Sequence, residues 1–344
     1  MVAHDADPRG IDTAAVARWL SEAVPGAVDG PLRATLLTGG KSNLTYTITP
    51  ATGRDLVLRR PPLGHVLATA HDMAREHRVM RALAGSSVPV PQMVALCEDD
   101  DVLGAPFYVM AKVDGTAYNR AAQLAPLGAA RTRAISERMV DTLVDLHAVD
   151  HEAVGLTGFG RPEGYVARQV ARWKAQLASS RSRPLPGIDE LVTRLEATVP
   201  GRSDATIVHG DYRLDNLLVR DDRVVAVLDW EMSTLGDPLA DLAVLLAYHQ
   251  LAETAPDAGD VLVTDAPLAP GHLTRREIVE RYAAASGRDV SALDFHLSLA
   301  FFKLAVILEG IHLRHAHGQT VGTGFDGIGD MIGPLIEAGL SASR

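Results

Sequence analysis

Two short segments carry the side chains best suited to chemistry: Val208-His209-Gly210-Asp211-Tyr212-Arg213-Leu214-Asp215-Asn216 and Val227-Leu228-Asp229-Trp230-Glu231. Asp211 and Asn216 fall within one polar loop that leaves a strand, and Asp229 ends the second strand after it. Three oxygen-bearing side chains are thereby expected at the same edge of a small hairpin. Phosphoryl transfer from ATP uses such a set: one carboxylate orients an attacking hydroxyl and takes its proton, and two further oxygens hold Mg²⁺. Magnesium prefers hard oxygen ligands and keeps several waters, so one amide and one carboxylate suffice beside the phosphates. A capped polar turn has no need of all three at these spacings.

The surrounding sequence supplies elements to hold them. Residues 206–231 read as strand, polar loop, strand, turn, strand, and interrupt an otherwise helical second part. Helical periodicity runs over about 129–148, 163–178, 186–197, 236–250, 275–287, 294–316 and 327–341. The first part differs. A helix over 11–24 precedes three alternating, β-branched stretches between Leu32 and Arg60, with Gly39-Gly40 and Pro50-Ala51-Thr52-Gly53 as turns. A helix over 68–84 follows, then strands at 92–97 and 106–113. Asp237 and Asp241, at the start of the 236–250 helix, read as N-terminal caps that brace the polar loop.

The segment Thr38-Gly39-Gly40-Lys41-Ser42-Asn43-Leu44-Thr45-Tyr46 has the letters of a phosphate-binding loop. A P-loop needs a glycine five positions before Gly40, where this chain has Thr35, and a helix afterwards, where it has strand-like alternation. No helix N-terminus would then face a phosphate. The alternative is a glycine hairpin that folds over nucleotide phosphates, with Gly39 and Gly40 allowing close approach and Ser42 and Asn43 adding donors.

His-Gly-Asp-x-x-x-x-Asn followed by two apolar residues and Asp-Trp-Glu resembles the signature of the aminoglycoside phosphotransferase (APH) superfamily, over approximately residues 30–320. The resemblance implies an α+β, protein-kinase-like two-lobe fold: residues 1–110 as an N-lobe, 111–115 as a hinge, 116–344 as a helical C-lobe. It implies Asp211 as catalytic base, with Arg213 beside the γ-phosphate or paired with Asp215. Asn216 and Asp229 become Mg²⁺ ligands, and Glu231 a further donor to a second ion or its water. His209 shapes the loop. In the N-lobe, Gly39, Gly40, Lys41, Ser42 and Asn43 cover the phosphates. Arg59 stands where the family usually places a lysine, and Glu76 is its helix partner. Backbone near Met110, Ala111 and Val113 would meet adenine. The stretches 58–64, 75–83, 88–91 and 229–243 resemble the branch fused to or encoded beside acyl-CoA dehydrogenases, implying a metabolic hydroxyl acceptor such as a hydroxyacyl thioester. Two alternatives stand: an aminoglycoside or other antibiotic kinase, and a catalytically silent nucleotide-binding module.

Bulk properties narrow the partners. A formal net charge of −10 opposes a nucleic-acid partner. The single cysteine, Cys97, excludes an intrachain disulfide and reads as a buried thiol. No basic and apolar leader is legible at the start, and the apolar run Leu297–Leu308, interrupted by Lys303, reads as too short to cross a bilayer. A cytoplasmic protein without a membrane partner is expected. His312, His315 and His317 read as an exposed helix end, and Trp173, Tyr165 and Tyr118 as core rather than acceptor pocket.

Overall fold

Asp12 opens the first helix: its carboxylate accepts the Ala15 N–H at 2.8 Å, which starts α1 (Thr13–Ala23). The computed structural model describes residues 7–37, 43–63, 71–201, 204–254, 264–319, 325 and 327–343. The expected meander follows as β1 (Asp29–Leu36), β2 (Leu44–Thr52) and β3 (Leu56–Arg60). Asp72 then caps α2 (Met73–Leu83), and β4 (Met93–Cys97), a one-turn α3 (Asp100–Leu103) and β5 (Phe107–Ala111) complete an antiparallel sheet in the order β1-β2-β3-β5-β4.

Strand alternation assigns the two faces of this sheet. Tyr46, Ile48, Leu56, Leu58, Phe107 and Val109 join Val16 and Leu20 of α1 in one apolar cluster, with Cys97 buried beside them. Burial pushes the Cys97 thiol up, as an inert core cysteine requires. Arg59 and Tyr108, paired in register, take the opposite face and meet Glu76 of α2. Each fully buried Leu, Ile or Phe contributes about 1.5–3 kcal/mol, so register is firmly set. A one-residue slip would exchange Leu58 and Arg59 between faces.

Two compact units result: Met1–Gly115 with Val225–Glu231, and Thr116–Val224 with Met232–Arg344. The second contains α4 (Ala121–Leu124), α5 (Ala129–Ala148), α6 (Tyr165–Ser180) and α7 (Ile188–Ala197), then β6 (Thr206–Val208) and β7 (Leu217–Arg220). Asp221 and Asp222, at φ 51° and 59°, turn the chain into β8 (Arg223–Val227) as a two-residue hairpin does. This strand begins in the second unit and ends in the first. An unforeseen β9 (Thr234–Gly236) pairs antiparallel with β6, and α8 (Leu239–Thr254), α9 (Arg275–Ser286), α10 (Leu293–Ala316) and α11 (Ile332–Ala342) follow.

α10 is the packing centre, in contact with α6, α7, α8 and α11. Its 24 residues correct the expectation of a segment too short to cross a bilayer: length and composition would allow it. However, 67% of its most apolar window is buried inside the fold, as in a core helix.

Candidate active site

In the first unit, the sheet face under α2 gathers charge around Glu76. Its carboxylate, 1% exposed, lies 3.2 Å from Arg59 Nε as an ion pair and accepts the Tyr108 hydroxyl at 3.0 Å and Asn43 Nδ2 at 3.2 Å. Burial pushes this carboxyl up to about 7, although Arg59 opposes the shift. Burial also disfavours the Arg59 charge, but Glu76, Tyr108, Asp229 and Glu231 outweigh it and raise the guanidinium's pKa. Arg59 Nη2 donates to Asp229 Oδ1. Asp229 has a left-handed backbone, φ 65°, which aspartate tolerates better than most residues. The turn that imposes it is fixed by the buried Trp230, whose indole donates to the Val227 carbonyl at 3.0 Å, and by Val227 N–H on Pro89 O at 2.8 Å.

Asn43 departs from its expected part as an outward donor. Its side-chain nitrogen reaches Glu76 and also Glu231, each at 3.2 Å, while His71 Nδ1 lies 2.8 Å from its oxygen. Gly39, Gly40, Lys41 and Ser42 lie outside the described residues. Met110 is buried on β5 opposite Val57, and the Ala111 N–H is taken by the Gln92 carbonyl at 2.8 Å. Val113 lies past the last residue of that strand.

In the second unit, the polar loop holds Asp211 and Asn216 together. Asn216 Nδ2 donates to the Asp211 carbonyl at 2.8 Å and to its carboxylate at 3.1 Å. Arg213 pairs with Asp215 at 3.1 Å, stands 3.6 Å from the Asp211 carboxylate and stacks over the Tyr248 ring at 4.5 Å. Burial, with Asp211 next, raises the Tyr248 hydroxyl's pKa. Gly210 before it has φ 86°, and a Cβ there would come within 2.6 Å of the Met232 carbonyl, so only glycine fits.

The loop is braced from α8. Asp241, fully buried, accepts the backbone N–H groups of His209 and Gly210, both at 2.7 Å, and lies 3.2 Å from His147 Nε2. Burial alone would raise its carboxyl; the His147 hydrogen bond and nearby histidines hold it below the usual range. Asp237 caps the same helix through the Leu239 N–H at 2.9 Å. A model of the phosphotransferase enzyme family, APH, matches residues 33–296. The chain belongs to that family.

Similarity extends across nearly the whole APH chain. It is 37% identical over 293 residues to acyl-CoA dehydrogenase family member 10 of Mus musculus, covering 84% of this chain and 27% of that protein. It is 33% identical over 341 residues to family member 11 of Gallus gallus, covering 97% and 44%. The chain thus spans less than half the length of these curated relatives. A crystal structure from Ralstonia eutropha JMP134, provisionally named an aminoglycoside phosphotransferase, superposes with TM-score 0.83 at 34% identity, covering 96% and 98% of the two chains. An aminoglycoside phosphotransferase bound to AMP-PNP and hygromycin B shares the fold at TM-score 0.59 and 16% identity, covering 96% of this chain and 99% of that one. The α+β, kinase-like architecture is therefore that of APH phosphotransferases.

Beside the loop, the second unit of this APH chain carries a partly open pocket with a cavity volume of about 40 Å³. Tyr165, Val166, Trp173, Val244, Leu299 and Ala300 make its walls apolar, and Gln169, Gly210, Asp241, His296 and Lys303 supply the polar edges. Tyr165 and Trp173, read from sequence as core, are buried and line this space; Tyr118 does not. Sequence reasoning also missed Tyr108, Tyr248 and Lys303. For Lys303 the signal was present, a lone cation within an apolar run.

Proposed function

We propose that the chain is an ATP-dependent kinase that passes the γ-phosphoryl group to a hydroxyl of a small molecule, with Mg²⁺ as cofactor. The observation that carries this reading is the coupling of Asp211 to Asn216 within one loop. Asn216 turns its nitrogen to Asp211, leaving its carbonyl oxygen as the ligating end. Mg²⁺ fits the donors, since Asn216, Asp229 and Glu231 all offer hard oxygens. Bound there, the ion would supply charge neutralisation on the transferring group.

The chain's residues do the rest. Asp211 orients the acceptor hydroxyl and takes its proton as the oxygen attacks in line, while Arg213 screens the developing charge. Arg59, fixed by Glu76 and Tyr108, grips the nucleotide phosphates in place of a lysine. Residues 39–43, of which Asn43 alone is among the described residues, are the candidates to cover them, and backbone near Met110, Ala111 and Val113, apart from the Ala111 N–H held by Gln92, is the candidate to meet adenine.

For the acceptor we favour a hydroxyl-bearing metabolite, of the hydroxyacyl thioester kind, over an aminoglycoside. A polycation calls for carboxylates in its pocket. The space beside the loop is apolar, with Lys303 on its wall, and its one carboxylate, Asp241, already receives His209, Gly210 and His147. The net charge of −10 is what speaks for the antibiotic reading.

The test is ADP release from Mg·ATP with hydroxyacyl thioesters and aminoglycosides as acceptors, for the native protein and Asp211→Asn. The variant should lose about 10²- to 10⁴-fold in kcat, the usual share of general-base assistance. Full turnover by Asp211→Asn would remove Asp211 from its role. Nucleotide binding without transfer to any acceptor would favour a silent nucleotide-binding module.

A further inference from the structure

Lys303 occupies the middle of α10 between residues that are buried and apolar: Phe301, Phe302, Leu304 and Ala305. An ammonium turned inward there loses hydration worth several kcal/mol unless partners replace it. Burial lowers its pKa, against the pull of Asp211 and Asp241. Its Nζ donates to the Gly210 carbonyl at 2.9 Å and lies 5.7 Å from the centre of the Trp173 ring.

The Gly210 carbonyl is half of the peptide group that leads into Asp211. The other polar group of Gly210, its N–H, is held by Asp241 at 2.7 Å. Ionic side chains from two helices, α8 and α10, therefore clamp the glycine before the base from both sides. Its φ of 86° and the closeness of the Met232 carbonyl leave that glycine no alternative side chain to stiffen it. Rotation of the Gly210-Asp211 peptide plane would re-aim the Asp211 carboxylate; Lys303 opposes it at the carbonyl, and His209 Nδ1, accepting the Asp211 N–H at a longer 3.3 Å, opposes it at the other end.

We propose that Lys303 is a positioning residue for phosphoryl transfer, one that fixes the Gly210-Asp211 peptide and so the aim of the Asp211 carboxylate. This rests on the phosphotransferase reading above. Displacement of a reacting group by about 1 Å can cost about 10²-fold in rate. Charge and donor both matter: arginine keeps both and can still stack on Trp173, glutamine keeps only a donor, and methionine keeps neither.

The experiment compares the native protein with Lys303→Met, Lys303→Gln and Lys303→Arg, reading Mg·ATP turnover and amide hydrogen exchange across residues 207–216. In Lys303→Met, kcat should fall about 10- to 100-fold while KM for ATP stays within about twofold, since the nucleotide grip is untouched. Exchange should quicken within 207–216 and not elsewhere, and Lys303→Arg should recover most of the rate. If Lys303→Met does not fold, Lys303→Gln carries the same expectations with a smaller loss. Unchanged kcat overturns the proposal, as does a loss of kcat with unchanged loop exchange or without rescue by arginine. A native protein that turns over no Mg·ATP with any acceptor or water removes the phosphotransferase reading itself, and the proposal with it. Native turnover equalled by the variants removes only the role of Lys303.

Discussion

Arg59 is a different solution from a lysine at the same strand position. Its guanidinium donates Nη2 to Asp229 and sets Nε 3.2 Å from Glu76 as an ion pair, so one planar cation faces two carboxylates. A single ammonium would have to divide itself between them. Removing the cation leaves Glu76 buried with, among the described residues, the neutral donors Tyr108 and Asn43. Breaking one side of a buried pair typically costs about 3–5 kcal/mol, and the slight exposure of Arg59 places it at the lower end. Arg59→Met should therefore lower the thermal midpoint of the nucleotide-free protein, and adding Glu76→Gln should restore most of the loss. Losses that simply add in the double variant would mean that the two side chains are uncoupled. This pair was legible in sequence through the family resemblance, which matched Glu76 to the strand position of Arg59, and strand alternation told Arg59 from Arg60. Asn43 was not, because its partners Glu76 and Glu231 lie 33 and 188 residues away. Local spacing says nothing of such contacts.

At the scale of elements, long periodic segments were readable and short ones were not. β9 has three residues and no alternation of its own; it exists because β6 offers it a ladder. α8 and α10 were recognisable as helices, but both are apolar nearly all round, so their sequences name no single buried face. α8 carries a further consequence. It sets His249 against His272, ring centres 4.8 Å apart, with both side chains buried. Burial lowers both imidazole pKa values, and His272 and Arg275 lower that of His249 further. The native state thus refuses protons that the unfolded chain accepts near pH 6.5. Stability contributed by these neutral histidines is present above that pH and lost as pH falls below it. The urea midpoint should drop between pH 7.5 and 5.5, and His249→Leu should flatten the drop. An equally steep drop in the variant would assign the acid sensitivity to other groups.

At the scale of the whole molecule, no single cut in the sequence separates the two units, because Val225–Glu231 belongs with the first unit although β7 and β9 of the second flank it in sequence. Composition and periodicity follow the chain and cannot reveal such a return. The segment brings the first unit specific partners: Val227 N–H for the Pro89 carbonyl, Asp229 for Arg59 and Glu231 for Asn43. A fragment of residues 1–115 would leave Arg59 and Asn43 with Glu76 but without those acceptors, and each lost hydrogen bond to a charged group costs about 1–3 kcal/mol. In a domain of this size, each kcal/mol moves the thermal midpoint by about 4–8 °C. Joining residues 225–231 to the fragment through a short glycine-serine linker should therefore raise its midpoint by about 5 °C or more. Asp229→Ala within the linked segment should remove most of that gain, because it deletes the acceptor for Arg59. Equal midpoints with and without the segment would mean that the returning strand end serves only the chemistry and lends the sheet no stability.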